Sequence, residues 1–288
     1  MLHGALALAV PTIPGQELYV ETKDGPAKLH WKSYFKDECW FEAVFAMPRL
    51  EAISSSDNKT TEYLRQLLLN AHELKPGIFQ KSQSIHVDTR LGFRPEWGLG
   101  SSSSLISNIA EWFGSDPYEL LHRTQKGSGY DIACTRADGP IQYRLEPGKP
   151  FIRKVDFKPS FKDKLAFVYS GRKQDSLASV SKFLNSTGFR ESDKIRISEI
   201  SRDITKAKTL QKFSLLLDEH EEIMSGILQQ PKIKEERFPD FPGSIKSLGA
   251  WGGDFLLASS EIGIDEIKSY FSKKGLEVIF AFDDLILY

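Results

Sequence analysis

The sequence predicts an α+β fold, and three features support this prediction. Strand-like and helix-like segments are grouped along the chain and do not alternate regularly, as they would in a doubly wound parallel sheet. At 288 residues, the chain is long enough for two domains or for one large one. A segment rich in proline and glycine at 147–150 separates two halves of different texture. We therefore predict an N-terminal domain over residues 1–155 and a C-terminal domain over residues 156–288.

Composition and charge argue against several classes of protein. A content of 40% hydrophobic and 27% charged residues is that of an ordinary globular protein. The net charge of -1 gives no general attraction to nucleic acid or to an anionic membrane, so we expect neither as a partner. The two cysteines, Cys39 and Cys134, are far apart and have no metal-ligand spacing. They fit a reduced, cytoplasmic protein better than a disulfide scaffold.

The chain starts directly in apolar, core-like sequence. The run up to Val10 looks at first like the apolar core of a signal peptide, but no Lys or Arg precedes it and Pro11 ends it early. No other run approaches the ~20 apolar residues needed to span a bilayer. We therefore expect a buried strand over residues 5–10, with its beginning missing.

Alternation and turn residues predict the elements of the first half. Leu64, Leu67 and Leu68 share one face of a helix that Pro76 ends, whereas Ile85 and Val87 alternate with polar residues as in a half-buried strand. The predicted strands are 5–10, 17–22, 28–35, 40–46, 82–91 and 141–145, and the predicted helices are 60–74, 117–124 and one that starts within a serine run and reaches residue 113.

The second half is richer in predicted helix. A long helical stretch over 191–229 has internal breaks, and Gly275 ends another helix. The predicted strands are 164–169, 245–248, 255–258, 276–282 and 285–288, and the predicted helices are 177–184, 191–229 and 264–274.

The most informative stretch is Trp97-Gly98-Leu99-Gly100 with the four serines 101–104. Glycine allows tight turns and a close approach of the backbone to a ligand. Apolar residues recur at helical spacing from Leu105, so a helix begins within the serine run. Its free N–H groups and positive dipole end would point at one place, which suits a phosphate. The alternative interpretation is a flexible Gly/Ser loop with a serine cap.

Two further glycine-marked turns follow in the chain. The first is Gly127-Ser128-Gly129-Tyr130-Asp131, and the second is Gly249-Ala250-Trp251-Gly252-Gly253-Asp254. Each has an ordinary structural explanation, since aspartate often bonds its own backbone in a turn and glycine often marks a bulge or hairpin. Single glycine-rich turns are common, whereas three of them in this order are not.

The three turns resemble the motifs of the GHMP kinase superfamily, which is named for galactose, homoserine, mevalonate and phosphomevalonate. The stretch led by Pro95 resembles the family's phosphate loop, usually Gly-Leu-Gly-Ser-Ser-Ala. The second turn is similar to the family's Ser-Gly-x-Asp, and residues 246–254 are similar to its third motif, Gly-Ala-Gly-Gly-Gly, with Trp251 in place of a glycine. His3-Gly4 and the Ala-Leu-Ala run after it resemble the end of the first motif. The resemblance therefore spans essentially the whole chain.

Within the superfamily, the second turn is closest to the Gly-Ser-Gly-Phe-Asp-Val-Ala of phosphomevalonate kinases. Its Gly-Tyr-Asp-Ile-Ala run also matches a bacterial subgroup named for that motif. The resemblance implies an ATP- and Mg²⁺-dependent kinase with two α+β domains, the C-terminal one ferredoxin-like. The implied acceptor is a small, acidic metabolite, with mevalonate or phosphomevalonate as the leading expectation.

The resemblance also implies roles for individual residues. Asp131 would be the catalytic carboxylate, accepting the proton of the acceptor hydroxyl or orienting it. Ser101 or Ser102 would place a hydroxyl near the metal. The residues implied to bind the nucleotide are Gly98, Leu99, Gly100, Ser101, Ser102 and Ser103, and those implied at the substrate are Ser128, Gly129, Gly249, Gly252 and Gly253.

Two departures from the family pattern keep an alternative open. The family's Gly-Lys and Gly-Glu would lie upstream of Leu2, so the first motif is missing here, and no lysine takes the family lysine's place. Many members also carry a glutamate metal ligand on the helix before Ser-Gly-x-Asp, whereas Glu119 lies one position away from that place. The alternatives are a nucleotide- or metabolite-binding protein without catalysis, and a kinase for a sugar or amino-acid hydroxyl. The sequence leaves the oligomeric state open, with a homodimer as one alternative. The sequence gives little support for a metalloenzyme or an acyl-transfer enzyme, because the six histidines form no ligand pattern and no Gly-x-Ser-x-Gly is present.

Overall fold

The computed structural model describes residues 1–79, 83–172, 183, 188–249 and 253–288. In chain order, its strands are β1 (Ala7–Ala9), β2 (Gln16–Asp24), β3 (Lys28–Phe35), β4 (Glu38–Ala46), β5 (Glu51–Ser55), β6 (Gln83–Leu91), β7 (Ile141–Arg144), β8 (Phe151–Lys154), β9 (Leu165–Tyr169), β10 (Ser244–Ser247), β11 (Phe255–Ser259) and β12 (Ile279–Ala281). Its helices are α1 (Asn58–Leu74), α2 (Ser101–Phe113), α3 (Pro117–Thr124), α4 (Tyr130–Thr135), α5 (Glu191–Asp203), α6 (Leu210–Leu228), α7 (Ile233–Arg237), α8 (Ile264–Lys273) and α9 (Phe282–Leu285).

The described residues form two compact units. The first unit comprises Met1–Ile13, Glu96–Gly98 and Arg136–Tyr288, and the second comprises Pro14–Pro95 and Leu99–Thr135. The chain's first residues join the first unit because β1 pairs antiparallel with β7. The predicted division into 1–155 and 156–288 draws the boundary elsewhere along the chain and stays a prediction.

The second unit is built on a five-stranded sheet in the order β2-β6-β3-β4-β5. Strands β3 and β6 run parallel, and the other neighbours are antiparallel. Alternation along β6 buries Ile85 and Val87, whereas His86 and Asp88, at the alternate positions, are more exposed. Apolar residues of α1, α2 and α3 pack into the same core as the buried side of this sheet. This core holds α2 in place from Leu105 to Phe113.

Two antiparallel sheets organise the first unit, in the orders β1-β7-β8 and β10-β11-β9-β12. Strands β9 and β11 are almost completely buried, and their side chains form one core with those of α7 and α8. Helix α6 contacts β10, where the Ser244 hydroxyl donates to the Asp218 carboxylate at 2.7 Å. The third glycine turn begins directly after β10.

The predicted α+β class is confirmed, whereas several local predictions are wrong. The segment 147–150, predicted as a linker, closes the hairpin between β7 and β8, because Arg144 pairs with Phe151. No strand covers 285–288; helix α9 ends at Leu285, and only an isolated bridge joins Thr12 to Ile286. Residues 130–135 form the short helix α4, which a turn pattern did not predict. Elements β5, β8 and α7 were also missed, and the predicted helix 177–184 lies, apart from Phe183, outside the described residues.

In the described part of the chain, no helix combines the length and the apolar character that crossing a membrane requires.

Candidate active site

The N-terminus of α2 presents backbone donors without an internal cap. Gly100 is the N-cap residue, with φ at +83°, and it has no side chain to accept a hydrogen bond. Ser104 N–H already donates to the Gly100 carbonyl at 2.9 Å. The three N–H groups before it, those of Ser101, Ser102 and Ser103, receive no side-chain cap from the described residues. A helix of this length places partial positive charge at the same point, so the geometry suits an anion.

The four serines at this helix start differ in what their hydroxyls contact. Ser104 donates to the Gln16 side chain at 2.7 Å, and Ser102 shares a 2.7 Å hydrogen bond with the Tyr63 hydroxyl. Ser103 is buried. The Ser101 hydroxyl has no hydrogen-bond partner among the described residues and is partly exposed. Of the two serines predicted near a metal, Ser101 is therefore the one with an uncommitted hydroxyl.

The residues that lead into this loop, Glu96–Gly98, belong to the first unit and pack against other residues of that unit. Trp97 packs its ring edge against Phe280, with 5.6 Å between ring centroids, and the Tyr169 hydroxyl donates to the Glu96 carbonyl at 3.2 Å. Gly98 follows with φ at +69° and lies against Asp254. The first predicted turn thus begins beside the last residue of the third one.

Asp131 is the second residue of α4 and is half-buried. Burial raises the pKa of its carboxyl to about 6, and a hydrogen bond with Tyr130 opposes that shift. No cation of the described residues contributes to this pKa. A carboxyl with a pKa near 6 can both accept and release a proton close to neutral pH. Gly129, with φ at +77°, and the buried Ser128 form the turn that leads into α4.

Helix α4 also holds Cys134, one turn after Asp131. Burial, together with the negative charge of Asp131, raises the pKa of this thiol to about 12. Both cysteines are free thiols, and Cys39 is exposed.

The third turn is described only at its ends. Gly249 has φ at +65°, and the Leu248 N–H donates to the Phe255 carbonyl at 2.9 Å, which closes the β10–β11 hairpin. Gly253 and Asp254 are buried. The predicted substrate residue Gly252 lies with Ala250 and Trp251 outside the described residues.

One buried charged group near the third turn escaped the sequence predictions. The Lys246 ammonium on β10 lies 3.0 Å from a carboxylate oxygen of Glu221 and 2.9 Å from Nδ1 of His220, both on α6. Glu221 is only 1% exposed. Desolvation lowers the pKa of Lys246 and lowers that of His220 well below its usual value. A lysine inside the predicted strand 245–248 was the available signal, but its partners lie 25 and 26 residues away in the chain.

A groove of about 790 Å³ lies elsewhere on the first unit. His3, Arg144, Lys194 and Arg202 give it a basic lining, and Arg144 is paired with Glu146. None of the predicted site residues lines this groove. We therefore keep the three glycine turns as the candidate site.

Comparisons with known proteins address the fold. No protein-family model matches the chain. No curated protein matches it either.

Solved structures match it over nearly its whole length. L. major mevalonate kinase in complex with R-mevalonate is 15% identical, with a TM-score of 0.65 over 97% of this chain and 89% of that one. Streptococcus pneumoniae phosphomevalonate kinase in complex with phosphomevalonate and AMPPNP is 16% identical, with a TM-score of 0.62 over 96% and 92%. Lactococcus lactis galactokinase complexed with galactose is 11% identical, with a TM-score of 0.61 over 99% and 88%. The resemblance predicted from the three turns is confirmed for the fold: this chain has the two-domain α+β fold of the GHMP kinases.

Proposed function

We propose that this chain is an ATP-dependent kinase that transfers the γ-phosphoryl group to a hydroxyl or phosphate of a small, acidic metabolite. The uncapped N-terminus of α2 is the observation that carries this proposal, because it offers three N–H donors and a positive dipole end directly after a double-glycine turn. Asp131 supplies a carboxyl with a pKa near neutrality for the acceptor hydroxyl. Phosphoryl transfer asks for little more than such positioning and charge stabilisation.

The residues present fit a nucleotide with Mg²⁺. No cluster of three or more His, Cys, Asp or Glu side chains that could hold a metal occurs among the described residues. Mg²⁺ at kinase sites is held largely by substrate phosphates and retained waters, and the open hydroxyl of Ser101 is the protein ligand that this loop would add. The bound ion would neutralise charge on the phosphates. Glycines 98 and 100 would let the backbone approach those phosphates closely.

Mevalonate and phosphomevalonate are the leading acceptors within this proposal. The support is the Gly-Ser-Gly-Tyr-Asp sequence of residues 127–131 and the fold shared with kinases for both compounds. A galactokinase shares the same fold, so a sugar or amino-acid hydroxyl is the second acceptor class.

A nucleotide-binding protein without catalysis is the competing function. It is favoured by the surroundings of Asp131, since no cationic side chain of the described part lowers its pKa. Such a protein would keep the α2 anion site and lose turnover.

Thermal unfolding separates these functions. We expect Mg·AMPPNP to raise the melting temperature, and one acceptor from a panel of mevalonate, phosphomevalonate, homoserine and galactose to raise it further. Release of ADP from ATP with that acceptor would then establish the kinase. A nucleotide shift with no turnover on any acceptor would establish the binding protein, and no turnover on either isoprenoid acid would remove the leading assignment. Absence of any nucleotide shift would contradict both functions.

The two serines offer a matched pair of variants for the metal. Ser101→Ala should lower kcat by about tenfold with little change in melting temperature, since its hydroxyl has no partner in the described structure. Ser102→Ala should instead lower the melting temperature, because it leaves the largely buried Tyr63 hydroxyl without its 2.7 Å partner. The reverse pattern would assign the metal to Ser102.

A further inference from the structure

Among the described residues of the glycine turns, Gly98 of the first turn lies against Asp254 of the third. A Cβ placed on Gly98 would overlap Oδ2 and Cγ of Asp254 and would stand 2.5 Å from its Cβ. The aspartate side chain therefore lies directly on the Cα of the first glycine of the phosphate loop. Asp254 is 9% exposed, so this contact is buried.

Hydrogen bonds and ring packing fix the backbone next to both Gly98 and Asp254. The Ser170 N–H donates to the Asp254 carbonyl at 2.8 Å, and Phe255, the next residue, is paired with Tyr169 in the sheet. On the other side, Tyr169 bonds the Glu96 carbonyl and Trp97 packs on Phe280. Burial, and with it the negative charge of Asp254, raises the pKa of Tyr169. Asp254 therefore has a fixed position, and the phosphate loop begins in contact with it.

A buried carboxylate beside a site for phosphates needs an explanation. Its negative charge would repel a bound triphosphate. Its shape, in contrast, fits the one position in the loop where a side chain cannot be accommodated. Gly98 and Gly100 both have left-handed φ values, +69° and +83°, but a Cβ on Gly100 would meet nothing within 4 Å. Only Gly98 is restricted by a neighbour as well as by its backbone.

We propose that Asp254 is a positioning residue of the phosphate loop: its side chain packs on the Cα of Gly98 and holds the left-handed turn with which the loop begins. This inference rests on the proposed function, since it assigns the contact to nucleotide binding. The first N–H donors of α2 follow within five residues of Gly98. Loss of the turn would misplace them, so the contact should affect the KM for ATP more than kcat.

A double-mutant cycle between positions 98 and 254 tests the proposal, with position 100 as the matched control. Gly100→Ala meets only the left-handed strain and should raise the KM for ATP by about fivefold. Gly98→Ala meets the strain and the overlap together and should raise it by about 50-fold or more. Asp254→Gly removes every overlapping atom and should recover much of the loss in Gly98→Ala but none of that in Gly100→Ala. Asp254→Asn keeps the shape and should stay within about threefold of wild type.

The same cycle is measured on the melting temperature without nucleotide, which does not depend on function. Coupling between 98 and 254 in both the KM and the melting temperature, with none between 100 and 254, is the expected result. Additive effects of 98 and 254 on the KM, in a protein that binds Mg·AMPPNP, would overturn the inference and leave the proposed function intact. A wild-type protein that does not respond to Mg·AMPPNP would overturn the proposed function and this inference with it, whatever coupling the melting temperature shows. An Asp254→Asn variant as impaired as Asp254→Gly would show that charge, not packing, acts at this position, and would also contradict the proposal.

Discussion

Asp131 illustrates how one side chain can be both suited to chemistry and unfavourable for stability. Burial raises the pKa of its carboxyl from 3.8 in the unfolded chain to about 6. The folded protein therefore binds this proton more tightly than the unfolded one, and stability falls as the pH rises from about 4 through about 6. A carboxylate kept charged at pH 7 despite this cost is typical of functional sites.

Replacing this carboxylate should stabilise the protein at neutral pH. Asp131→Asn should raise the free energy of unfolding by about 1–3 kcal/mol at pH 7, and the gain should vanish near pH 4, where the wild-type carboxyl is protonated on folding. Urea unfolding at the two pH values measures this difference. Asp138→Asn is the control, since Lys154 lowers the pKa of that exposed carboxyl and no gain is expected. Equal stability of wild type and Asp131→Asn at pH 7 would contradict the burial.

The alkylation rate of the Cys134 thiol reports the charge of Asp131 and does not depend on enzymatic activity. Because the Asp131 carboxylate contributes to its raised pKa, Asp131→Asn should lower that pKa and speed alkylation at pH 9. The rate is measured with iodoacetamide in a Cys39→Ser background, which removes the exposed thiol. An unchanged rate would mean that the two side chains do not interact.

At the scale of elements, the pair Lys246–Glu221 joins β10 to α6. Lys246→Met removes the ammonium group that faces the buried Glu221 carboxylate. The substitution should therefore cost about 3–5 kcal/mol of unfolding free energy. The double variant Lys246→Met/Glu221→Leu should recover most of this loss. Chemical denaturation measures both.

An exposed ion pair provides the comparison for that experiment. Lys274 and Asp240 are 40% and 59% exposed, so Lys274→Met should cost at most about 1 kcal/mol. Similar losses at positions 246 and 274, or strictly additive losses at 246 and 221, would show that burial does not govern the first pair.

Elements with strong periodic patterns were predictable from the sequence. The apolar face of Leu64, Leu67 and Leu68 marked α1, and β3 and α3 were predicted at their observed bounds. Short elements were missed or mistaken, because a four-residue strand such as β8 carries too little pattern to distinguish it from a loop. The hairpin turn at 147–150 has the same proline and glycine content as a linker. Only the pairing of β7 with β8 tells the two apart.

At the scale of the whole molecule, the resemblance of the three glycine turns to the GHMP kinase motifs predicted the fold. Their composition also indicated an anion site at the start of α2. The sequence could not predict which turn residues touch, because Gly98 and Asp254 are brought together by the packing of Tyr169 and Phe280. It also could not predict that Tyr63 engages Ser102 and leaves Ser101 open. Such pairings depend on tertiary packing, which local patterns do not encode.

The most direct test of the central claim is ADP formation by wild type and Asp131→Asn, side by side, with ATP, Mg²⁺ and mevalonate or phosphomevalonate from pH 5 to pH 8. We expect wild-type kcat/KM to fall below a pH of about 6, as the carboxyl takes up a proton, and Asp131→Asn to lose at least about 100-fold. Mg·AMPPNP should still raise the melting temperature of that variant. Full activity of Asp131→Asn, or a wild-type rate without an acid limb near pH 6, would contradict the role of Asp131 on which the proposed kinase depends.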